Sequence, residues 1–341
     1  MVSDRGLAVL RAIVQDYVAS REPVGSKTIV ERHAFGVSAA TIRNDMALLE
    51  EEELIAAPHT SSGRIPTDKG YRVFVDQLSE LRPLSQAQRH AIETFLGESS
   101  DLDELLARTV RLIAQLTNQL AVVQYPSFAS SRVRHVELVS LAPERVLCIL
   151  ITDSGQVEQR VAELVSPVDD ETLAALRTRF NELAAGRTLA EAAQALSGEV
   201  PELDPRHAEV LHTLATTLAE QARVQRGDRL VVAGAANLVR TEQDFAGSIL
   251  GVIEAIEEQV VLLKLFGEMA ADHQHGVAVS IGRENAPFGL GETSVVASSF
   301  AVAGRDLSRL GVVGPTRMDY TTSMAAVRAV ARYLSRALGE H

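Results

Sequence analysis

The chain has 341 residues, enough for two or three domains that each bury a hydrophobic core. Its 33 Lys and Arg against 45 Asp and Glu give a net charge of −12, which argues against non-specific nucleic-acid binding over the whole surface. A single cysteine, Cys148, excludes a disulfide within the chain. Early charged side chains and the lack of a long apolar run lead us to expect a cytoplasmic protein without a signal peptide or membrane span.

The first elements along the chain have the spacing of a helix-turn-helix. A first helix is predicted to open at Ser3 or Asp4 and to break before Pro23, because proline cannot continue the helical hydrogen bonds. Its apolar stripe consists of Leu7, Leu10, Val14, Tyr17 and Val18. Ser26 is predicted to cap a short second helix through about His33, and the four residues that follow suit the turn between crossed helices.

A third helix has the chemistry of a DNA-recognition helix. Ser38 is placed to cap its free backbone N–H groups. One face is apolar and consists of Ile42, Met46 and Leu49. The remaining positions at its start are Thr41, Arg43 and Asn44. Arg can bridge O6 and N7 of guanine, Asn can bridge N6 and N7 of adenine, and Thr can reach a phosphate or a thymine methyl group.

The next segment has the pattern of a wing. Two short strands, Leu54–Pro58 and Gly63–Pro66, are joined by a polar tip, and Thr67 is predicted to cap the helix that follows. The wing tip around Arg64 is expected to touch the DNA backbone or minor groove. The acidic run Glu50–Glu53 lies at a helix C-terminus, where the dipole disfavours it, and we interpret it as a solvated face turned away from DNA.

Any positive surface in this region must be local, because residues 1–82 carry 10 basic and 12 acidic side chains. The candidate DNA contacts lie in the second helix, at the start of the third helix, in the wing and in the helix after it. They are Lys27, Ser38, Ala40, Thr41, Arg43, Asn44, His59, Ser62, Arg64 and Lys69.

Residues 81–126 are predicted to form a linker and a long helix from Asp101 to Val123. Positions four and three apart make a heptad-like seam of Leu102, Leu106, Thr109, Ile113, Leu116, Leu120 and Val123. The seam has two interpretations, which are a contact with a second copy of the chain and packing within the subunit.

Strand and helix patterns share the rest of the chain and predict an α+β fold. The predicted strands are 133–141, 146–152, 157–165, 229–234, 277–282, 295–303 and 310–314. The predicted helices are 170–185, 205–224, 248–266 and a last one from Thr322, whose apolar stripe consists of Met324, Val327, Val330, Leu334 and Leu338.

Few residues in this region suggest chemistry. The polar loop 272–275 contains two His and one Asp but has no second cluster of ligands, so we expect no metal. The glycines of 286–292 do not lead from a strand into a helix, which favours a loop over a nucleotide site. We therefore predict no cofactor and no enzyme activity. Arg317 and Asp319 are interpreted as a structural pair, with a ligand clamp as the alternative.

Four motifs carry a resemblance to a known family, and they are Pro23–Ser26, Ala40–Met46, Pro58–Arg72 and Gly311–Tyr320. On these motifs the chain resembles the bacterial heat-inducible transcription repressors of the HrcA type. The long wing motif joined to the distant last motif makes the resemblance specific and extends it over nearly the whole chain. Glu53 stands where the family usually has glycine, and a left-handed residue other than glycine costs about 1–2 kcal/mol.

The resemblance implies three regions. Residues 1–80 would form a winged helix-turn-helix DNA-binding domain, 81–126 a linker with dimerisation helices, and 127–341 a GAF-like α+β domain whose C-terminal helix contributes to dimerisation. It also implies a homodimer that represses chaperone operons through an inverted-repeat operator, the CIRCE element. A GroEL-type chaperonin would keep the repressor active. The alternative is a metabolite-responsive regulator whose GAF-like domain binds a small ligand.

Overall fold

The computed structural model describes residues 2–59, 62–78, 85–99, 101–125, 131–153, 155–198, 207–223, 229–245, 247, 249–269, 276–302 and 306–339. The chain divides into two compact units. The first consists of Met1–Gln124, Arg229–Phe300 and Arg309–Ser335, and the second of Tyr125–Asp228, Ala301–Ser308 and Arg336–His341. Within the described ranges no helix has the length and apolar character that a membrane span requires.

Helices and strands together confirm a mixed α+β fold. The helices are α1 Asp4–Ser20, α2 Ser26–Arg32, α3 Ala39–Glu51, α4 Asp68–Asp76, α5 Gln86–Gly97, α6 Leu102–Thr117, α7 Asp170–Ala184, α8 Leu189–Ser197, α9 Ala208–Arg223, α10 Ala235–Arg240, α11 Ile249–Glu257, α12 Gln259–Glu268 and α13 Tyr320–Gly339. The strands are β1 Ile55–Ala56, β2 Ile65–Pro66, β3 Leu120–Gln124, β4 Val133–Ala142, β5 Arg145–Thr152, β6 Val157–Glu163, β7 Leu230–Ala233, β8 Ala278–Ile281, β9 Thr293–Val302 and β10 Asp306–Pro315.

Residues 2–78 of the first unit, which we call the N-terminal segment, contain α1 to α4 and the β1–β2 hairpin. The Ser3 side chain caps α1 by accepting from the Gly6 N–H, and Arg21 ends the helix in a left-handed conformation. The antiparallel hairpin pairs Ile55 with Pro66. The core is formed by fully buried aliphatic side chains, which include Leu10, Ile13, Ile29, Ile42 and Leu49. The predicted cap of α2 is wrong, because Ser26 is its first helical residue and Gly25 holds the cap position.

The rest of the first unit, which we call the sheet domain, is built on a five-stranded sheet of order β7-β3-β10-β9-β8. Strand β3 pairs antiparallel with both β10 and β7, and Val122 lies opposite Gly311 and Val232. One core of this domain joins side chains of the sheet, such as Leu120 and Val313, to Phe266 of α12. Helix α6 packs against β3 and β7.

The predicted helix from Asp101 to Val123 is wrong at its C-terminal end. Helix α6 stops at Thr117, and Asn118 takes the left-handed conformation that reverses the chain into β3. Among the seam positions, Leu106, Thr109 and Ile113 are fully buried in a single subunit. These three side chains therefore pack within the subunit, whereas Leu102 and Leu116 are half-buried.

The second unit contains the predicted three-stranded meander, in which β5 pairs antiparallel with β4 and β6. Helices α7, α8 and α9 form a common core with one face of this sheet, in which Val136, Leu150 and Phe180 are buried. Cys148 is fully buried in this core, and its burial raises the pKa of the thiol to about 12. Helix α8 was not predicted, although its Thr188 and Glu191 form a capping box that a sequence search can find.

Two further helix predictions need correction. The segment predicted as one helix from 248 to 266 forms α11 and α12, because Glu258 leaves helical geometry between them. The final helix begins at Tyr320 rather than Thr322, and the Asp319 carboxylate accepts from the Thr322 N–H at 3.0 Å. The apolar stripe of α13 is buried at Met324, Val327, Val330 and Leu334, so it packs within the subunit.

Candidate nucleic-acid interface

The start of α3 presents polar side chains on an exposed and well-capped turn. The Ser38 hydroxyl accepts from the Thr41 N–H at 3.2 Å and lies 3.1 Å from the Thr41 hydroxyl. Ala40, Arg43 and Asn44 are exposed, whereas Ile42 between them is fully buried. The Arg43 and Asn44 side chains make no hydrogen bond or ion pair with any described residue. Their polar groups are therefore available to a ligand that approaches this helix start.

Helix α3 is held in place from its opposite side. The Arg5 guanidinium of α1 donates to both carboxylate oxygens of Asp45, at 2.8 and 3.1 Å, and Asp45 is buried. The bidentate pair and the apolar face of α3 fix the helix against α1, so its exposed start has a defined orientation. Sequence reasoning missed this pair, because 40 residues separate its members and neither lies on the apolar stripe.

The hairpin carries two of the predicted contacts, His59 and Ser62. The Ser62 hydroxyl donates to the His59 carbonyl oxygen at 2.6 Å and accepts from the His59 N–H at 3.0 Å. These bonds close the turn, so the Ser62 hydroxyl already stabilises the hairpin through both its donor and its acceptor. The His59 side chain is exposed. Residues 60 and 61, the centre of the predicted tip, lie outside the described residues.

Arg64 is not at the wing tip, and this part of the prediction needs correction. Its backbone pairs with Val24 through two hydrogen bonds of 2.9 Å, directly before β2 begins at Ile65. Its guanidinium donates from Nε to Glu50 Oε2 at 2.9 Å and from Nη1 to the Ser62 carbonyl oxygen at 3.2 Å. Gly63 permits this close approach, because a Cβ there would come within 2.6 Å of the Pro23 backbone.

The C-terminal end of α3 is closed by the residues that begin α4. The Lys69 ammonium donates to the Glu52 carbonyl oxygen at 2.8 Å, and the Thr67 hydroxyl donates to the Glu53 carbonyl oxygen at 2.6 Å. Glu53 has φ 59°, so the residue that stands where the family usually has glycine is in the left-handed conformation. Of the acidic run, Glu51 to Glu53 are exposed, but Glu50 is half-buried against Arg64 and does not belong to a freely solvated face.

The predicted basic residues thus fall into two groups. Lys27 and Arg43 are exposed and have no recorded partner within the part of the chain that the structure describes. Arg64 and Lys69 are engaged within the N-terminal segment. The surface that is chemically ready for an acidic polymer is therefore concentrated at α2 and the start of α3.

The motif near the far end of the chain also reaches the N-terminal segment. The predicted structural pair of Arg317 and Asp319 is wrong, because Arg317 pairs with Asp244 instead. Its guanidinium contacts Asp244 and the carbonyl oxygens of Tyr17 and Val18 at the end of α1. No local pattern predicts this contact, because 300 residues separate Arg317 from Tyr17.

Comparisons with a family model and with related sequences identify one protein family. A family model described as the HrcA protein C terminal domain matches residues 103–324. The chain is 69% identical over 340 residues to the heat-inducible transcription repressor HrcA of Clavibacter michiganensis subsp. michiganensis, with both chains fully covered. It is 66% identical over 341 residues to the protein of that name in Leifsonia xyli subsp. xyli, again over the full length of both. A crystal structure of a hypothetical protein has a TM-score of 0.68 at 24% identity, covers 99% of each chain and shares the fold.

Proposed function

This chain belongs to the family of heat-inducible transcription repressors HrcA, and from that premise we propose that it represses chaperone operons by binding the inverted-repeat CIRCE operator as a homodimer. Family membership makes it a transcription repressor, and we propose no enzyme activity for it. The observation that carries the DNA-binding proposal is the start of α3, where Arg43 and Asn44 are exposed on a capped turn and have no partner among the described residues. Such a protein would act in the cytoplasm, where the operator lies.

We assign the N-terminal segment as a winged helix-turn-helix. In this assignment α3 lies in the major groove, Arg43 and Asn44 meet base edges, and Thr41 contacts a phosphate. Lys27, exposed on α2, would contact the backbone. Arg64 and Lys69 would reach DNA only after giving up Glu50 and the α3 carbonyl, so we rank them below the unpaired residues.

The homodimer needs a surface other than the two helices first predicted for it, since the α6 seam and the α13 stripe are largely buried within the subunit. We propose the outer face of the β4–β6 sheet. Its exposed apolar side chains are Val139, Leu141, Val157 and Val161, with Val165 just beyond the last strand. The register places Val139 opposite Leu147, and Leu147 opposite Val161, in one apolar row. A continuous exposed apolar patch of this kind marks an association surface.

A dependence on a GroEL-type chaperonin is consistent with the topology. The first unit is assembled from three separated stretches of chain, and its interior strand β3 pairs with β7 and β10, which lie far along the sequence. Long-range pairing of this kind forms slowly and leaves apolar surface exposed in the meantime. In the proposed cycle, free chaperonin restores operator-binding chains, and heat-damaged proteins that occupy it leave the operator empty.

Footprinting upstream of chaperone genes tests the proposal with purified full-length protein. We expect two protected half-sites related by a two-fold axis, and a larger operator-binding fraction after incubation with chaperonin and ATP. Protection without two-fold symmetry would contradict the homodimer. A protein that stays fully active through the heat-shock range and does not respond to chaperonin would contradict the chaperonin cycle.

The alternative, a GAF-like domain that senses a metabolite, requires a different measurement. A ligand present at about 100 times its dissociation constant raises the free energy of unfolding by about 2.7 kcal/mol. A thermal-shift screen of metabolites against the full chain detects an increase of that size. A ligand that also changes operator affinity would favour the sensor over control by the chaperonin.

A further inference from the structure

Arg317 of the sheet domain is enclosed by the last turn of α1. Its Nε donates to the Tyr17 carbonyl oxygen at 3.0 Å, and its Nη2 donates to the Val18 carbonyl oxygen at 2.5 Å. Carbonyl groups in the last turn of a helix have no partner within the helix, so a buried guanidinium is a favourable cap for them. The Tyr17 carbonyl oxygen also accepts from the N–H of Arg21, the residue that ends α1, at 3.0 Å. The guanidinium also lies 5.4 Å from the centre of the Tyr17 ring, within the range of a cation–π contact.

Asp244 of the sheet domain completes this cluster. Its Oδ1 accepts from Arg317 at 2.6 Å, and its Oδ2 accepts from Arg21 of the N-terminal segment at 2.9 Å. The side chains of Arg317 and Asp244 are only 9% and 7% exposed. One carboxylate therefore connects two arginines that lie on opposite sides of the contact between the N-terminal segment and the sheet domain.

A second contact joins the same two parts at α4. The Arg283 N–H donates to Asp68 Oδ2 at 3.0 Å, and Arg72 of α4 pairs with Glu284 and donates to the Val279 carbonyl oxygen. Gly282 has φ +53° and leaves the space that the Asp68 carboxylate occupies, because a Cβ at this position would overlap that carboxylate.

The contact between the N-terminal segment and the sheet domain fixes their relative orientation more than it raises the free energy of unfolding. A buried ion pair returns little net stability after desolvation, but any arrangement that separates its charges leaves one of them buried and unpaired. Between the two clusters, Tyr71 packs against Tyr320 with ring centroids 5.6 Å apart, and the buried Tyr71 hydroxyl has no hydrogen-bond partner among the described residues. Two polar contacts at separate places on the N-terminal segment define one docking orientation.

We propose that Arg317, Asp244 and Gly282 are positioning residues for operator binding. They hold the N-terminal segment on the sheet domain in one orientation, so that the start of α3 projects in a fixed direction. In a dimer, that direction sets the distance between half-sites that the protein can read together. The inference rests on the proposed function for its link to the operator, whereas the fixed orientation itself can be measured without DNA.

The first test measures orientation in the full-length chain. Spin labels on Ala47→Cys in α3 and Glu254→Cys in α11 report the distance between the two parts, and the buried native Cys148 provides the unlabelled background. We expect a narrow distance distribution in the otherwise unchanged protein and a broad one after Arg317→Gln or Gly282→Ala. The two substitutions affect different contacts, so a folding defect in one leaves the other informative.

Gly289→Ala is the matched control for Gly282→Ala. Gly289 has φ +73°, and an added Cβ would meet no heavy atom within 4 Å, so the control carries the backbone strain without the overlap. It should keep the narrow distribution. Broadening by Gly289→Ala equal to that of Gly282→Ala would overturn the inference, because general destabilisation would then explain both.

The second test uses operators in which the spacing between half-sites varies. The unchanged protein should prefer one spacing, because two linked sites gain affinity only when both can be occupied together. Arg317→Gln and Gly282→Ala should reduce that preference by about tenfold while binding to a single half-site stays within about twofold. Variants that keep both the narrow distribution and the spacing preference would overturn the inference. An unchanged protein that binds no operator would contradict the proposed function, while the distance measurement would still decide the orientation.

Discussion

The two ends of α3 lie in opposite chemical surroundings. At its start, Arg43 and Asn44 are exposed and have no recorded partner in the described part of the chain. At its end, Glu50 binds Arg64, and Lys69 donates to the Glu52 carbonyl oxygen. The same helix therefore presents available hydrogen-bonding groups at one end and satisfied ones at the other. This difference separates residues that can recognise a ligand from residues that hold the hairpin in place.

The sharpest test of this separation uses two neighbouring residues. Ile42 is fully buried, so Ile42→Ala should lower the free energy of unfolding by about 2–5 kcal/mol through lost burial and a new cavity. Arg43→Ala should leave it within about 0.5 kcal/mol, because the side chain is exposed and unpaired. Denaturant titration of both variants gives the comparison. Equal losses would mean that Arg43 supports the fold.

Arg43→Ala should affect operator affinity more strongly than it affects the free energy of unfolding. Arg43→Ala should cost about 1–3 kcal/mol on the operator and relax the preference at one base pair, as expected for loss of a bidentate contact to guanine. Binding to operators with single substitutions, measured at one fixed salt concentration, tests this. An equal loss on every sequence would show that Arg43 contacts only phosphate.

The cap of α3 should have a smaller effect on stability. Ser38→Ala removes the side chain that accepts from the Thr41 N–H and should destabilise the chain by about 1 kcal/mol. Ser38→Asp retains a capping oxygen and serves as the control. Thermal melting that finds both variants equally destabilised would point to the lost hydroxyl contact with Thr41 rather than to the cap.

The end of α3 offers a stabilising substitution. Glu53 has φ 59°, so Glu53→Gly should remove the left-handed strain and, after the added chain entropy of glycine, stabilise the protein by about 0.5–1 kcal/mol. Glu52 has φ −83°, and Glu52→Gly should bring no gain. Thermal melting of the pair decides the matter. A gain from both variants would trace to reduced charge repulsion within the acidic run.

The smallest effect is expected at Arg64. Its pair with Glu50 is partly exposed, so Glu50→Gln should change stability by less than about 1 kcal/mol. If the freed guanidinium reaches phosphate, Glu50→Gln should strengthen binding to all sequences alike and steepen the salt dependence, and Arg64→Ala should do the reverse. If both variants keep the affinity and the salt dependence of the unchanged protein, Arg64 does not belong to the DNA interface.

Local chemistry in the sequence was sufficient to predict the elements of the N-terminal segment. Caps such as Ser38 and Thr67, the break before Pro23 and the spacing of Ile42, Met46 and Leu49 act within one or two turns of chain. For the same reason the meander β4–β6 was predicted, since its strands are consecutive and β5 alternates between buried and less buried positions.

Other features were decided by the tertiary structure. The pattern of α6 continues into β3, and only pairing with β7 and β10 makes Leu120–Gln124 an interior strand of the sheet. Arg64 looks free in the sequence, but the fold brings Glu50 to it. Arg317 and Asp244 meet the end of α1 from positions more than 220 residues away. Helical and strand periodicity carry information about neighbours in the chain, whereas a charge finds its distant partner only when packing brings the two together.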